Sequence, residues 1–161
     1  MTFVLFDSNP LEGTHGEGLK AALQQAEQMP HVLPGKAALV GFSLGGGISL
    51  GFGVHWPDEV AVVIAWYPAT KAFHDIPGFA SRMQVPVLMF AGESDTFRNC
   101  CLIDTARSLA AAATAAGKPF ELITYPNTEH DFVDGGSHYN PKAYHDALDR
   151  TAAKLKEFLG N

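Results

Sequence analysis

The chain has 161 residues, of which 47% are hydrophobic and 17% charged, and its formal net charge is −6 at pH 7. That balance describes one folded globular domain over residues 1–161 and excludes a disordered segment. The acidic excess and the lack of a basic stripe interleaved with aromatics argue against a nucleic-acid partner, and no apolar run is long enough to span a membrane.

The opening Met1 to Asp7 has no basic n-region and too short an apolar run for export, so a cytoplasmic location is expected. Thr2 to Phe6 reads as a short strand, and Asp7 to Gly16 as a polar loop. Leu19, Ala22, Leu23 and Ala26 fall at i, i+3, i+4 and i+7, one face of a helix that ends before Pro30 and Pro34. Ala37 to Val40 is the next strand. Gly45 to His55 reads as a buried helix, and its glycines imply close approach to a sheet, because each destabilises a helix by roughly 1 kcal/mol relative to alanine.

Val60 to Trp66 is nearly unbroken apolar sequence, as at the centre of a parallel sheet. Tyr67 to Gln84 reads as irregular, and Val87 to Ala91 as another buried strand. The adjacent Cys100 and Cys101 read as reduced thiols at a helix start, since a bridge between neighbours is a strained one. A helix follows over about Leu102 to Ala116, then a strand at Phe120 to Tyr125 and a long loop over Pro126 to Asn140. Asn140 as N-cap and Pro141 at the first helical position start the last helix, with Tyr144, Leu148, Thr151, Leu155 and Phe158 on its inner face. This alternation predicts an α/β fold with a mostly parallel sheet of about five strands flanked by helices.

Gly41-Phe42-Ser43-Leu44-Gly45 lies where a strand passes into a helix. A sharp turn there lifts the side chain at its apex clear of the sheet, and flanking glycines sterically permit the turn. In open parallel sheets, ligands bind beyond the carboxyl ends of the strands. Ser43, Asp95 and His130 all fall at such ends. A serine hydroxyl attacks a carbonyl only when an imidazole takes its proton, and a carboxylate must orient that imidazole. The chain order Ser, Asp, His is the one this architecture uses.

Several tracts carry a family resemblance: Gly41-Phe42-Ser43-Leu44-Gly45-Gly46, Trp66-Tyr67-Pro68, Pro86 through Asp95, Phe120 through Pro126, Glu129-His130-Asp131-Phe132, and Tyr139 through Thr151. From about Gly35 to Leu159 the chain resembles the dienelactone hydrolase family of α/β-hydrolases. The resemblance implies a truncated α/β-hydrolase fold with Ser43 as nucleophile, His130 as base and Asp95 as its orienter. It implies acyl transfer on small esters or lactones without a cofactor. The backbone N–H of Leu44 becomes one oxyanion donor, helped by the helix dipole. Phe42, Trp66, Tyr67, Phe97 and Phe132 are candidates for the apolar walls. No metal is expected, because His55, His74, His138 and His145 show no ligand-pair spacing with an acid.

The chain also departs from the family. Serine stands where the namesake enzymes carry cysteine, Asp131 replaces the usual glycine after the histidine, and Asp134 lies where a basic residue is usual. Only Thr2 to Phe6 precedes the nucleophile strand, so the loop giving the second oxyanion donor is either Asp7 to Gly13 or absent. The alternative function is therefore an inert binding or assembly module without a complete oxyanion hole. A sheet lacking a strand layer also exposes an edge, and edges are normally paired or covered. Self-association as a homo-oligomer through the N-terminal strand or its neighbouring surface follows. Sedimentation is expected to show mass rising with protein concentration, whereas a concentration-independent monomer contradicts it.

Overall fold

The computed structural model describes residues 16–133 and 135–160. The strand expected at Thr2 to Phe6 and most of the loop after it lie outside the described residues, as does Asp134. Within them, β1 (Ala37–Phe42), β2 (Val60–Trp66), β3 (Val87–Gly92) and β4 (Phe120–Tyr125) lie side by side in that order, all parallel. β2 and β4 match the expected bounds, while β1 and β3 run slightly further. Helix α1 (Glu17–Glu27) precedes the sheet, and α2 (Ser43–Ile48) follows β1 and continues as a π-helical turn over Ser49–Gly53. Helices α3 (Ile76–Ser81), α4 (Ile103–Ala115) and α5 (Pro141–Leu159) follow β2, β3 and β4 in turn.

The two faces of the sheet bury separate cores. Val63, Val87 and Met89 pack with Leu50, Phe79, Met83 and Leu109 on one side. Val62, Ile64, Trp66, Leu88 and Phe90 pack with Ala143, Ala147 and Leu155 of α5 on the other. Burying a side chain of this size contributes about 1.5–3 kcal/mol, so tertiary packing outweighs the poor helix propensity of the α2 segment. A Cβ on Gly53 would stand 2.4 Å from Leu39 Cδ1, which is the close helix–strand approach its glycines imply.

Two expectations are corrected. Tyr67 to Gln84 contains α3, a helix too short to show periodicity, capped by Asp75, whose Oδ1 accepts from the Gly78 N–H at 3.0 Å. On α5 the buried line is Ala143, Ala147, Thr151 and Leu155, and Leu148 is 43% exposed. Small residues occupy that line because Trp66 and Phe132 fill the space beneath it. No helix among the described residues is long and apolar enough to cross a membrane.

Helix α5 is tied to the strand end it follows. Tyr125 donates to Asp146 Oδ2 at 2.8 Å, and Arg150 Nε donates to the same oxygen at 2.7 Å. Burial first, then the Asp146 hydrogen bond, pushes the Tyr125 phenol far above its ordinary value, so it remains a donor. Asn140 caps the helix through Oδ1, which accepts from the Ala143 N–H at 3.2 Å. Its Nδ2 donates to Thr128 Oγ1 at 2.7 Å, and its N–H donates to the Phe132 carbonyl at 3.2 Å. One side chain thus starts the helix and fastens the preceding loop.

Asn140→Ala is expected to lower stability by about 1–2 kcal/mol, the usual cost of a lost cap with a further hydrogen bond lost beside it. Urea unfolding of the variant and of Asn140→Asp checks this. The aspartate keeps the cap and loses only the Thr128 contact, so its loss is expected to be smaller.

Candidate active site

The site is built at the carboxyl ends of β1, β3 and β4. At the end of β1 the backbone turns from extended Phe42 (φ −113°, ψ 139°) to Ser43 with φ 48°, in the left-handed region. Such a conformation is strained for a residue with a side chain and concentrates at functional turns. Here the surroundings hold it. A Cβ on Gly41 would lie 2.4 Å from the Gly45 carbonyl oxygen, so only glycine lets α2 fold back this closely. The Ser43 carbonyl accepts from the Ala69 N–H at 2.8 Å, fixing the turn against the segment after β2.

Asp95 follows β3 and His130 follows β4, and their loops are stitched together. The Thr128 carbonyl accepts from the Ser94 N–H at 2.9 Å. A Cβ on Gly92 would stand 2.3 Å from that same oxygen, so the close crossing again requires glycine. The result is a continuous chain of hydrogen bonds. Asp95 Oδ2 lies 2.7 Å from His130 Nδ1, and His130 Nε2 lies 2.8 Å from Ser43 Oγ. A carboxylate only accepts, so Nδ1 carries the ring proton and Nε2 offers its lone pair to the serine hydroxyl. Asp95 is 2% exposed and its Oδ1 also accepts from the Phe97 N–H at 3.0 Å, so both oxygens are used.

The imidazole is clamped by two aromatic rings. Phe97 stacks on it at 4.6 Å between centroids, and Tyr67 meets it edge-on at 4.8 Å. Tyr67 donates its hydroxyl proton to Asp131 Oδ1 at 3.0 Å. With His130 only 8% exposed, rotation away from Ser43 requires displacing these neighbours.

Residues 6–159 match the dienelactone hydrolase family. The chain belongs to that family. Among its relatives, Protein usf of Aquifex pyrophilus is 25% identical over 146 residues, which cover 87% of this chain and 59% of that protein. Acyl-protein thioesterase 1 of Gibberella zeae is 31% identical over 130 residues, 73% of this chain and 53% of that one. The solved structure of a dienelactone hydrolase-like promiscuous phosphotriesterase, P91, from metagenomic libraries has a TM-score of 0.73 at 20% identity. That likeness of fold covers 89% of this chain and 61% of the other. The chain therefore spans between 53% and 59% of the length of the two curated relatives.

Asp131, directly after His130, stands in the left-handed region with φ 58°. Aspartate tolerates the left-handed region better than most residues, and here it gains the Tyr67 hydroxyl as a partner. The expected aromatic walls separate into two groups. Phe42 and Phe97 are each 46% exposed and, with Leu44 at 44%, make an apolar rim near Ser43. Trp66 and Phe132 are instead fully buried, stacked on each other at 5.9 Å in the core under α5, and Tyr67 packs beneath the imidazole. They support the site from behind because β2 directs Trp66 toward α5. A cavity of about 610 Å³, lined by Leu19, Leu23, Leu39, Val40, Leu155 and Phe158 among others, adjoins β1 and includes none of Ser43, Asp95 or His130.

The cysteine expectation is corrected too. Cys100 and Cys101 form a disulfide and are not free thiols. They sit in a pinned turn: Arg98 and Asn99 precede them at φ 47° and 52°, and the Cys100 carbonyl accepts from the N–H groups of Thr70 at 2.7 Å and Lys71 at 3.0 Å. Residue spacing carries no signal of two consecutive left-handed residues at Arg98 and Asn99, neither of them glycine. The Tyr67–Asp131 pair also escaped the sequence, although the unusual residue after the histidine marked the position.

Gly41→Ala is expected to destabilise the fold by at least about 1–3 kcal/mol, because the clash is with backbone and no rotamer relieves it. Gly45→Ala, whose Cβ meets nothing within 4 Å, serves as control and is expected to cost less. Chemical denaturation of the two variants checks the ordering.

Proposed function

We propose that this chain is a serine hydrolase that opens small esters or lactones by acyl transfer through Ser43. The observation that carries the reading is the unbroken relay from Asp95 through His130 to Ser43, with hydrogen bonds of 2.7 and 2.8 Å. In this reading His130 Nε2 takes the hydroxyl proton as Ser43 Oγ attacks the carbonyl carbon. Asp95 keeps the ring in its Nδ1–H tautomer and stabilises the imidazolium that forms. The same proton then passes to the departing alkoxide. Water, deprotonated by the same imidazole, releases the acyl group from Ser43.

The tetrahedral oxyanion needs donors. The Leu44 N–H, first after the nucleophile and at the start of α2, is the donor we assign. One such donor contributes about 2.7–4 kcal/mol of transition-state stabilisation. The exposed rim of Phe42, Leu44 and Phe97 suits an apolar acyl or alcohol portion. Serine in place of cysteine favours oxygen esters with good leaving groups, because its nucleophilicity depends wholly on the base.

A fluorophosphonate probe is expected to label the wild-type chain, with Ser43→Ala unlabelled and His130→Ala strongly slowed. With p-nitrophenyl acetate, each variant is expected to lower kcat/KM by at least roughly 10³-fold with the fold intact by circular dichroism. A folded wild-type chain that neither labels nor turns over overturns the reading and favours a binding module.

A further inference from the structure

The hydrolase reading gives no role to the sulfurs beside the relay. The Sγ atoms of Cys100 and Cys101 and a ring nitrogen of His130 all lie within 4.8 Å of one another. Two sulfurs and an imidazole are the donor set that divalent zinc prefers. We propose that reduction of the Cys100–Cys101 disulfide turns this cluster into a zinc site that shares His130 with the serine relay.

The geometry supports it on three counts. First, a tetrahedral zinc with Zn–S near 2.3 Å and Zn–N near 2.0 Å places its ligands about 3.5–3.8 Å apart; the bonded sulfurs part on reduction, and the ring nitrogen, within 4.8 Å of them, closes by about 1.3 Å at most. Second, His130 already has the support that zinc-bound histidines use. Its Nδ1–H is held by Asp95 at 2.7 Å, leaving Nε2 as the coordinating atom. Third, the three residues are buried or half-buried, so solvent competes weakly for the metal. A fourth position remains for water, while Ser43 Oγ, now 2.8 Å from Nε2, has to turn aside to admit the metal to that lone pair.

The chemistry balances. A dithiol or phosphine reductant supplies two electrons, the S–S bond breaks, and two protons give two thiols as the reductant is oxidised. Zinc then displaces both thiol protons and takes the Nε2 lone pair, releasing two protons to solvent. That lone pair is the one the serine proton needs, so the metal and the nucleophile compete for it. This blocking consequence rests on the serine-hydrolase reading; the metal site itself does not.

The test uses the whole chain, oxidised or reduced with a phosphine and then freed of reductant without air. After incubation with zinc chloride and desalting, the reduced chain is expected to retain about one zinc per chain and the oxidised chain almost none. X-ray absorption is expected to show sulfur at about 2.3 Å and nitrogen at about 2.0 Å from the metal. Cobalt on the reduced wild type is expected to give thiolate charge-transfer bands, a readout that needs no variant. Cys100→Ser/Cys101→Ser and His130→Ala are each expected to lose zinc retention. Fluorophosphonate labelling of the reduced chain is expected to fall at least about tenfold with zinc and to recover on chelation, a competition for the same lone pair. Equal zinc retention by the oxidised and reduced chains, or a metal without sulfur neighbours, overturns the proposal. Absence of labelling in every state removes the hydrolase reading and the blocking consequence, while zinc stoichiometry still decides the site.

Discussion

The contact on which the site depends is between two pieces of backbone, at Gly41 and Gly45. Because nothing projects from Gly41, α2 folds back against the end of β1, and Ser43 is forced into a left-handed conformation above the sheet. A residue with a side chain resists that conformation unless its surroundings dictate it. They do so here through the Ala69 N–H on the Ser43 carbonyl and through the helix that begins at the serine itself. The direction of the Ser43 side chain is therefore a property of sheet and helix packing, not of its own rotamer preferences.

The imidazole is placed by different means. Its loop has no regular structure of its own, so its position is borrowed from β3 through Thr128 and from α5 through Asn140. Asp95 contributes twice, orienting the ring with one oxygen and closing its own turn with the other. The aromatic rings of Phe97 and Tyr67 then leave the histidine little freedom except along the line to Ser43. A polar relay this buried is favourable only because every atom in it has a partner.

Much of this was legible in the residues. β2 was readable to its bounds because a strand buried on both faces is written as continuous apolar sequence, and β4, at the edge of the described sheet, because Pro119 and Pro126 bracket it. Ser43, Asp95 and His130 were singled out as polar residues at strand ends, and the structure brings their side chains into hydrogen-bond contact. What was not legible depends on three-dimensional direction. Trp66 and Phe132 were candidates for the pocket walls by residue type alone, whereas the end of β2 and the loop after β4 bring them into the core under α5. The pairing of Cys100 with Cys101 sits directly after left-handed turns at Arg98 and Asn99, and residue types announce neither. Leu148 looked like core because periodicity finds a stripe but not the volume available to it, and the aromatics beneath favoured alanines.

The double duty of Asn140 ties the fate of one loop to that of one helix. The β1 elbow is closed by the Ala69 N–H, but the turn that carries Asp95 also leans on the Thr128 carbonyl, which belongs to the loop that Asn140 fastens. The loop with His130 has its anchor at the start of α5. A change at Asn140 therefore loosens the histidine as well as the helix it caps.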